Sequence, residues 1–238
     1  MCYNHSKTQH FGDEMIDYTL TRQRRKTAVI YVRGGLVDVR APLRMPKQAI
    51  DRFVAAHEKW ITDKLAKSRE QTERRAAFAP GYGDMLLYRG EMYPIVAGCG
   101  KEAGFDGTAF YIPPDLPPAQ IKAVCVKIYR TLAKRDFTAK TLALAQQMGV
   151  APARVRVSSA KTRWGSCSAK KSINFSWRLI MAPENVIDYV VVHELAHLTE
   201  MNHSARFWAI VEDMLPDYRG RKAKLKQLQH RLGGEDWE

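Results

Sequence analysis

Between Ile16 and Ala41 apolar and polar residues alternate in three runs, "IDYTLTRQ", "TAVIYVRG" and "LVDVRAP", with Gly34-Gly35 ahead of the third. Alternation of period two around a glycine pair predicts a meander of three short strands. After Pro46 the period changes. Ile50, Phe53, Val54, Trp60, Ile61 and Leu65 recur at intervals near three and four, which predicts one helix with a single buried stripe. Arg69 to Gly83 is charged and then glycine-rich, and reads as a connector. "MLLYRGEMYPIVAG" predicts a hairpin, and "AFYIPPDLPP" a strand stopped by proline. Pro117-Pro118 then opens a long helix with Ile121, Val124, Ile128 and Leu132 on one face, running to Gly149 as its C-cap. Two more strands follow, "ARVRVSS" and "SINFSWRLI", the second with Ile173, Phe175, Trp177 and Leu179 on one face of the pleat. Helical spacing returns over Glu184 to Glu200, Ser204 to Met214 and Tyr218 to Leu232.

The pattern is α+β. It divides near residue 115 into a strand-rich region with one helix (1–115) and a region (116–238) that ends in three helices; the two can also share one core. With 238 residues, 45% of them hydrophobic, the chain can bury one sizeable core or two small ones. No apolar run approaches the roughly 20 residues that span a bilayer. Met1 to Glu14 is polar, without an apolar signal core, so a cytoplasmic location is the expectation. Cys2, Cys99, Cys125 and Cys167 lie far apart with no C-x-x-C pair, which argues for free thiols. The net charge of +13 predicts attraction to polyanions, although the basic residues are spread along the chain and form no nucleic-acid motif.

Composition alone names no chemistry; the stretch "YVVVHELAHLTEMNHSARFW" does. It places three of the seven histidines within eleven residues, and Glu194 directly follows the first. Residues four apart share a helix face, so His193 and His197 can offer two imidazoles to one tetrahedral ion, with Glu194 beside them to hold a water. Chance produces this H-E-x-x-H pattern in a chain of this composition with odds on the order of one in a hundred. Ile187, Val191, Leu195 and Leu198 fall on another side of the helix and can anchor it in a core. A catalytic zinc takes three protein ligands and keeps one position open. His203 is the candidate third ligand, separated from His197 by the five residues Leu198 to Asn202, and Glu200, Glu212 and Asp213 are its rivals. Other zincins of this spacing carry a glycine where this chain has Glu200, so the turn is assigned here to a left-handed Asn202, and Ser204 is assigned to cap the next helix. His5, His10, His57 and His230 have no partner at ligand spacing.

"RWGSCS", "INFSWRLIMAP", "VIDYVVVHELAHL", "NHSARFW" and "LPDY", in this order, resemble the YgjP-like metallopeptidase family over about a third of the chain. More distantly the chain is similar to SprT-type proteases. The resemblance implies a zincin-like fold with H-E-x-x-H in its C-terminal region, one zinc ion at His193, His197 and His203, and Glu194 as catalytic acid and base. It implies a peptide or unfolded-protein substrate. Around the site, two readings of "RWGSCS" stand side by side. In one, Gly165 makes a tight turn and Trp164 is buried; in the other, Arg163 binds a carboxylate or phosphate and Ser166 donates to a developing oxyanion. Tyr218 is a further candidate for stabilising the transition state, and Cys167 reads as a buried thiol. "SINFSWRLI" precedes the metal helix as the sheet edge does in zincins, where an extended peptide can add as a strand. The basic charge equally suits a nucleoside triphosphate, which makes phosphoanhydride hydrolysis at the same metal site a second function. A third is a nucleic-acid-associated protein with a structural zinc, which would require a fourth protein ligand.

Overall fold

A computed structural model describes residues 4–6, 16–100 and 102–237. The polar stretch to Glu14, apart from the backbone of residues 4–6, lies outside the described residues, and with it Cys2, His10 and the His5 side chain. Six α-helices and three mixed sheets among the described residues make an α+β protein. No helix among them is long and apolar enough to cross a membrane. The chain forms two compact units, Met1–Phe78 with Gly233–Asp236, and Ala79–Leu232 with Trp237–Glu238.

In the first unit β1 (Asn4–Ser6), β2 (Thr19–Gln23), β3 (Val29–Arg33) and β4 (Leu36–Pro42) form one sheet in the order β1-β2-β4-β3. Gly34 and Gly35 close the expected β3–β4 hairpin, with φ of +56° and +77°, the region a two-residue type I′ turn requires. The rest of the predicted meander is corrected: β2 pairs with β4 in parallel, not with β3. The reason is burial. Val37, Val39 and Ala41 of β4 are 3%, 0% and 0% exposed, and the strand with the most apolar inner face takes the centre. The single helix expected after Pro46 breaks at Ala56-His57 into α1 (Lys47–Ala55) and α2 (Glu58–Ala77). Ile50, Val54 and Ile61 cover the sheet residues Ile30, Val37, Val39 and Ala41. Most of the predicted connector is therefore helix. Its Arg, Glu, Gln and Ala are strong helix formers, and Glu70 pairs with Arg74 one turn on at 2.6 Å. Gln71 and Arg75 each donate to the Gly233 carbonyl at 2.7 Å, which ties the returning segment to α2.

The second unit begins with β5 (Met85–Tyr88), β6 (Glu91–Ala97), β7 (Gly104–Phe105) and β8 (Phe110–Ile112), in the order β5-β6-β8-β7. The expected hairpin turns at Arg89-Gly90. Helix α3 (Pro118–Gln147) ends as the pattern predicts: Gly149 has φ +63°, its N–H donates to Gln146, and the Val150 N–H donates to the Ala145 carbonyl at 3.0 Å. The third sheet holds β9 (Arg154–Ser158), β10 (Gly165–Cys167) and β11 (Ser172–Ser176), in the order β10-β11-β9. Ile173 and Phe175 lie buried in β11, but Trp177 and Leu179 do not continue the pleat. They belong to a 3-10 helix, Trp177–Met181, whose Ile180 and Met181 carbonyls accept from the Arg89 and Gly90 N–H groups at 2.9 and 3.1 Å. Those bonds to a distant hairpin turn the chain toward α4 (Glu184–Ala196), and they leave no trace in the local alternation.

Helix α4 is apolar almost all round, with Val186, Ile187, Val190, Val191, Val192 and Leu195 all at most 3% exposed, so it is the core helix of the unit. Lys140 of α3 fixes its start by pairing with Glu184 at 2.6 Å and with Asp188. Another polar knot lies at α3: Asp136, 9% exposed, accepts from Arg135 (2.7 Å), Arg89 (2.8 Å) and the Tyr88 hydroxyl (3.0 Å). Helices α5 (Ala205–Met214) and α6 (Tyr218–Leu232) complete the unit.

Candidate metal centre

His193 sits in the last turn of α4, and His197 is the residue that ends it. The predicted helix to Glu200 is thus one turn too long. Leu198, Thr199 and Glu200 instead close tight turns onto the carbonyls of Leu195 and Ala196 at 2.9 to 3.1 Å. The assignment of a left-handed Asn202 is corrected: the positive-φ residues other than glycine among those described are Arg89, Asp115 and Lys171. A different device holds the bend. His197 Nδ1 donates to the Glu200 carbonyl at 3.1 Å, so the turn and the ring orient each other, and Nε2 of His197 is left free to face inward. Ser204 caps α5 as expected, accepting from the Phe207 N–H at 3.3 Å.

The outcome is a triangle. The ring centroids of His193, His197 and His203 are 5.1, 5.0 and 4.8 Å apart, and one nitrogen from each lies within 4.8 Å of the others. Nε2 of His193 and Nε2 of His203 approach to 3.1 Å. Two nitrogens on a tetrahedral zinc with bonds of about 2.0–2.1 Å stand about 3.3 Å apart, so this spacing fits such an ion. Glu200, Glu212 and Asp213, the rival ligands, are not in the cluster, and Glu212 is engaged by Arg219 at 3.0 Å. Burial pushes the His193 imidazole down to about 3, helped by its two histidine neighbours and Lys222; burial also lowers His197. Both rings are neutral at pH 7, the form that can donate a lone pair to a metal. His193 Nδ1 is buried without a hydrogen bond to any described residue, so Nε2 is the nitrogen it presents to the cluster.

Under the triangle lies Phe207, fully buried, with its ring 4.9, 4.6 and 4.8 Å from those of His193, His197 and His203. It is the common floor of all three. Trp208 is half-buried and stacks on His203 at 5.8 Å; Tyr218 stacks on Trp208 at 5.3 Å, and Lys222 lies over the Trp208 ring. Neither Phe207 nor Lys222 was singled out from the sequence. The four-residue step from His203 to Phe207, which places both on one side of the turn into α5, is the signal that could have found the first.

Glu194 is 5% exposed, and burial pushes its carboxyl up to about 7 against the opposing charge of Arg163. What it rests on is Gly165. A Cβ built there would meet Oε1, Cγ and Cδ of Glu194 at 2.5, 2.7 and 2.8 Å, and φ at Gly165 is not in the left-handed region. The turn reading of "RWGSCS" is corrected accordingly: this glycine lies in β10 and makes room for a carboxylate, and Trp164 is half-buried. Arg163 is exposed beside Glu194. The strand alternation turns the Ser166 side chain to the face opposite the one Glu194 touches, whereas Cys167 shares Glu194's face. Burial, then the Glu194 charge, raises the half-buried Cys167 thiol, which stays neutral. Tyr218 is buried and stacked between Trp208 and Tyr189. A cleft of about 200 Å³ opens here, lined by Trp164, Gly165, Tyr189, Val190, His193, Glu194 and Leu225.

Strand β11, read from the sequence as the sheet edge, is central; β10 is the edge on this side. Trp164 pairs with Ser176 and Ser168 with Ser172 through backbone bonds. By alternation Ser166 faces β11 as well, and the N–H and C=O groups of Gly165 and Cys167 point to the open edge beside Glu194.

Among curated proteins none matches the chain. Among solved structures, the metallopeptidase zymogen of Pyrococcus abyssi abylysin is 25% identical and shares 40% of this chain and 94% of its own, with a TM-score of 0.36. The metallopeptidase zymogen of Methanocaldococcus jannaschii jannalysin is 16% identical over 38% of this chain and 94% of its own, with a TM-score of 0.35. The family profile of the YgjP-like metallopeptidase domain matches residues 26–228, which takes in every residue of the histidine cluster, Glu194 and β10. With that match over most of its length, the chain belongs to the YgjP-like metallopeptidase family and is a metal-dependent, peptidase-like hydrolase.

Proposed function

We propose that His193, His197 and His203 hold one zinc ion per chain and that Glu194 is the general base of a metallopeptidase acting on extended or unfolded polypeptide. The observation that carries this reading is the convergence of three imidazoles next to a buried carboxyl that is wedged against an open strand edge. Three nitrogen donors with no fourth His, Cys, Asp or Glu in the cluster among the described residues fit a catalytic site with a position left for water, and not a closed structural one. When bound, the ion supplies Lewis acidity, which acidifies a water and polarises the carbonyl under attack.

The chain's own groups do the rest. Glu194 takes a proton from the attacking water at a carboxylate oxygen and delivers it to the leaving amine nitrogen. A carboxyl with a pKa near 7 exchanges protons readily at neutral pH, and beside a dication that value falls, which keeps it ionised as a base. The backbone groups of Gly165 and Cys167 hold the substrate as an added strand across the site. Arg163 meets a substrate carboxylate, Tyr218 stiffens the wall behind His203 through Trp208, and Ser166 contributes through its place in the β10 ladder.

Arg163 and Lys222, two cations facing the site, also favour a nucleoside triphosphate as substrate, and one experiment separates the two. Zinc-loaded wild type and Glu194→Gln are incubated with a pool of unfolded protein and nucleoside triphosphates, and the products are read by mass spectrometry. New peptides with wild type only are expected, with zinc content equal in the two proteins. Nucleoside mono- or diphosphates without new peptides would move the activity to phosphoanhydrides, and turnover surviving in Glu194→Gln would overturn the role of Glu194.

A further inference from the structure

The same three-stranded sheet has a second open edge, β9, on the side away from the metal centre. Since the even-numbered residues of β11 bond to β10, its Ile173 and Phe175 bond to β9, and their partners there are the main-chain groups of Arg154, Arg156 and Ser158. The N–H and C=O groups of Val155 and Val157 consequently point outward. They face a groove of about 1280 Å³ between β9 and the solvent flank of α3. Its floor is apolar, with Ala123, Val126, Ala139, Val155 and Val157.

Its rim is basic. Lys127, Arg130, Lys134, Arg135 and Arg156 all line it, and no carboxylate does. Arg135 is taken by Asp136 and Arg130 reaches only the Ser159 hydroxyl at 3.4 Å. Lys127, Lys134 and Arg156 have no ion-pair partner among the described residues.

We propose that this groove docks an extended acidic polypeptide segment, added to β9 as a fourth strand. Two outward N–H and C=O pairs on a flat edge supply main-chain bonds, the valines receive alternate small apolar side chains, and the unpaired cations select carboxylates on the others. An unsatisfied edge with exposed cations is also how a sheet avoids self-pairing, so the charge that repels a second copy is the charge that admits an acidic strand. A single-stranded nucleic acid fits less well, because no aromatic ring lines the groove to stack a base. The edge lies two strand spacings, roughly 10 Å, from β10. Docking there leaves the metal centre open, so an unstructured substrate can be retained by an acidic stretch while another part of it is cut.

The test measures binding, not turnover, and so stands whatever the metal centre cleaves. Full-length Glu194→Gln is titrated against a fluorescein-labelled 12-residue peptide of alternating Glu and Val, with anisotropy as the readout at low and moderate salt. Comparison probes are the Lys-Val peptide, a Glu-Val peptide methylated on alternate backbone nitrogens, and a 12-nucleotide oligothymidylate. The Glu-Val peptide is expected to bind and the Lys-Val peptide not to. Reversal of the three exposed cations (Lys127→Glu, Lys134→Glu and Arg156→Glu together) is expected to weaken binding at least tenfold with an unchanged melting temperature. Should that variant misfold, the neutral set Lys127→Gln, Lys134→Gln and Arg156→Gln is expected to weaken binding severalfold. Backbone methylation keeps the charge and is expected to weaken binding by a similar factor. Equal binding of the methylated peptide, tighter binding of oligothymidylate with the same dependence on the three cations, or indifference to both variants would overturn the proposal.

Discussion

Gly165→Ala is a single methyl group aimed at Glu194, the proposed general base. The backbone there is ordinary strand, so alanine costs no strain, and loss of glycine's freedom in the unfolded chain favours the variant by about 0.4–1 kcal/mol. The new Cβ would stand 2.5 Å from Glu194 Oε1 and 2.7 Å from its Cγ, well inside a van der Waals contact near 3.5 Å. Something has to move by about 1 Å, and the far end of a glutamate side chain moves more cheaply than two strands and a core helix. Displacement of a reacting group by that much costs about a hundredfold in rate, or about 2.7 kcal/mol of transition-state stabilisation. The variant should therefore melt within a degree or two of wild type and bind zinc as tightly, since its histidines are untouched, while kcat/KM on a wild-type substrate falls about a hundredfold. A parallel Gly165→Ala, Glu194→Gln double variant should be no worse than Glu194→Gln alone. If Gly165→Ala keeps activity within threefold of wild type, the carboxylate is not held where the contact puts it. If the double variant loses further activity additively, Gly165 acts through something other than Glu194.

Two further outcomes test the scaffold. Phe207→Leu removes part of the floor under all three imidazoles; it should cost about 1–2 kcal/mol of stability and raise the zinc dissociation constant about tenfold or more, read by chelator competition beside thermal melts. An unchanged zinc affinity at lowered stability would reduce Phe207 to core packing. Asp136 gives a pH dependence: burial favours its neutral form, but the Arg135 hydrogen bond, the Arg89 charge and the Tyr88 hydroxyl outweigh that and hold its carboxyl below the usual range. Its folded value being depressed, the stability it contributes is present above the unfolded value near 3.9 and is lost as pH falls through the folded one. The gap between wild type and Asp136→Asn, about 2 kcal/mol, should stay level above about pH 5 and narrow progressively below about pH 4 in urea melts, and a gap that does not narrow as pH falls below the unfolded value would refute the assignment.

Some of this protein is written in short stretches of its chain. His193, Glu194 and His197 share one turn of helix because their spacing and that helix's period leave no alternative, and the Gly149 cap, the Gly34-Gly35 hairpin and the start of α3 after Pro117 follow from equally local rules. What local pattern misses is whatever depends on a partner far along the chain. The charged run after Leu65 is helix, because Gly233 is anchored on α2 and intrinsic propensity outweighs its connector-like composition. Trp177 leaves the strand because the N–H groups of the Arg89-Gly90 hairpin donate to the carbonyls of its turn, and β4, not β3, sits beside β2 because burial ranks the strands. At the site the split is the same. The triad's first two histidines and the cap at Ser204 were legible from spacing, but the Glu200 carbonyl that orients His197, the Phe207 floor and the contact that makes Gly165 a glycine arise only when α4, α5 and β10 meet. Periodicity encodes which face of an element is buried; it carries no information about which other element will cover that face, and it is that choice, made by packing the whole core at once, that converts an H-E-x-x-H helix into a site able to hold a metal and a base together.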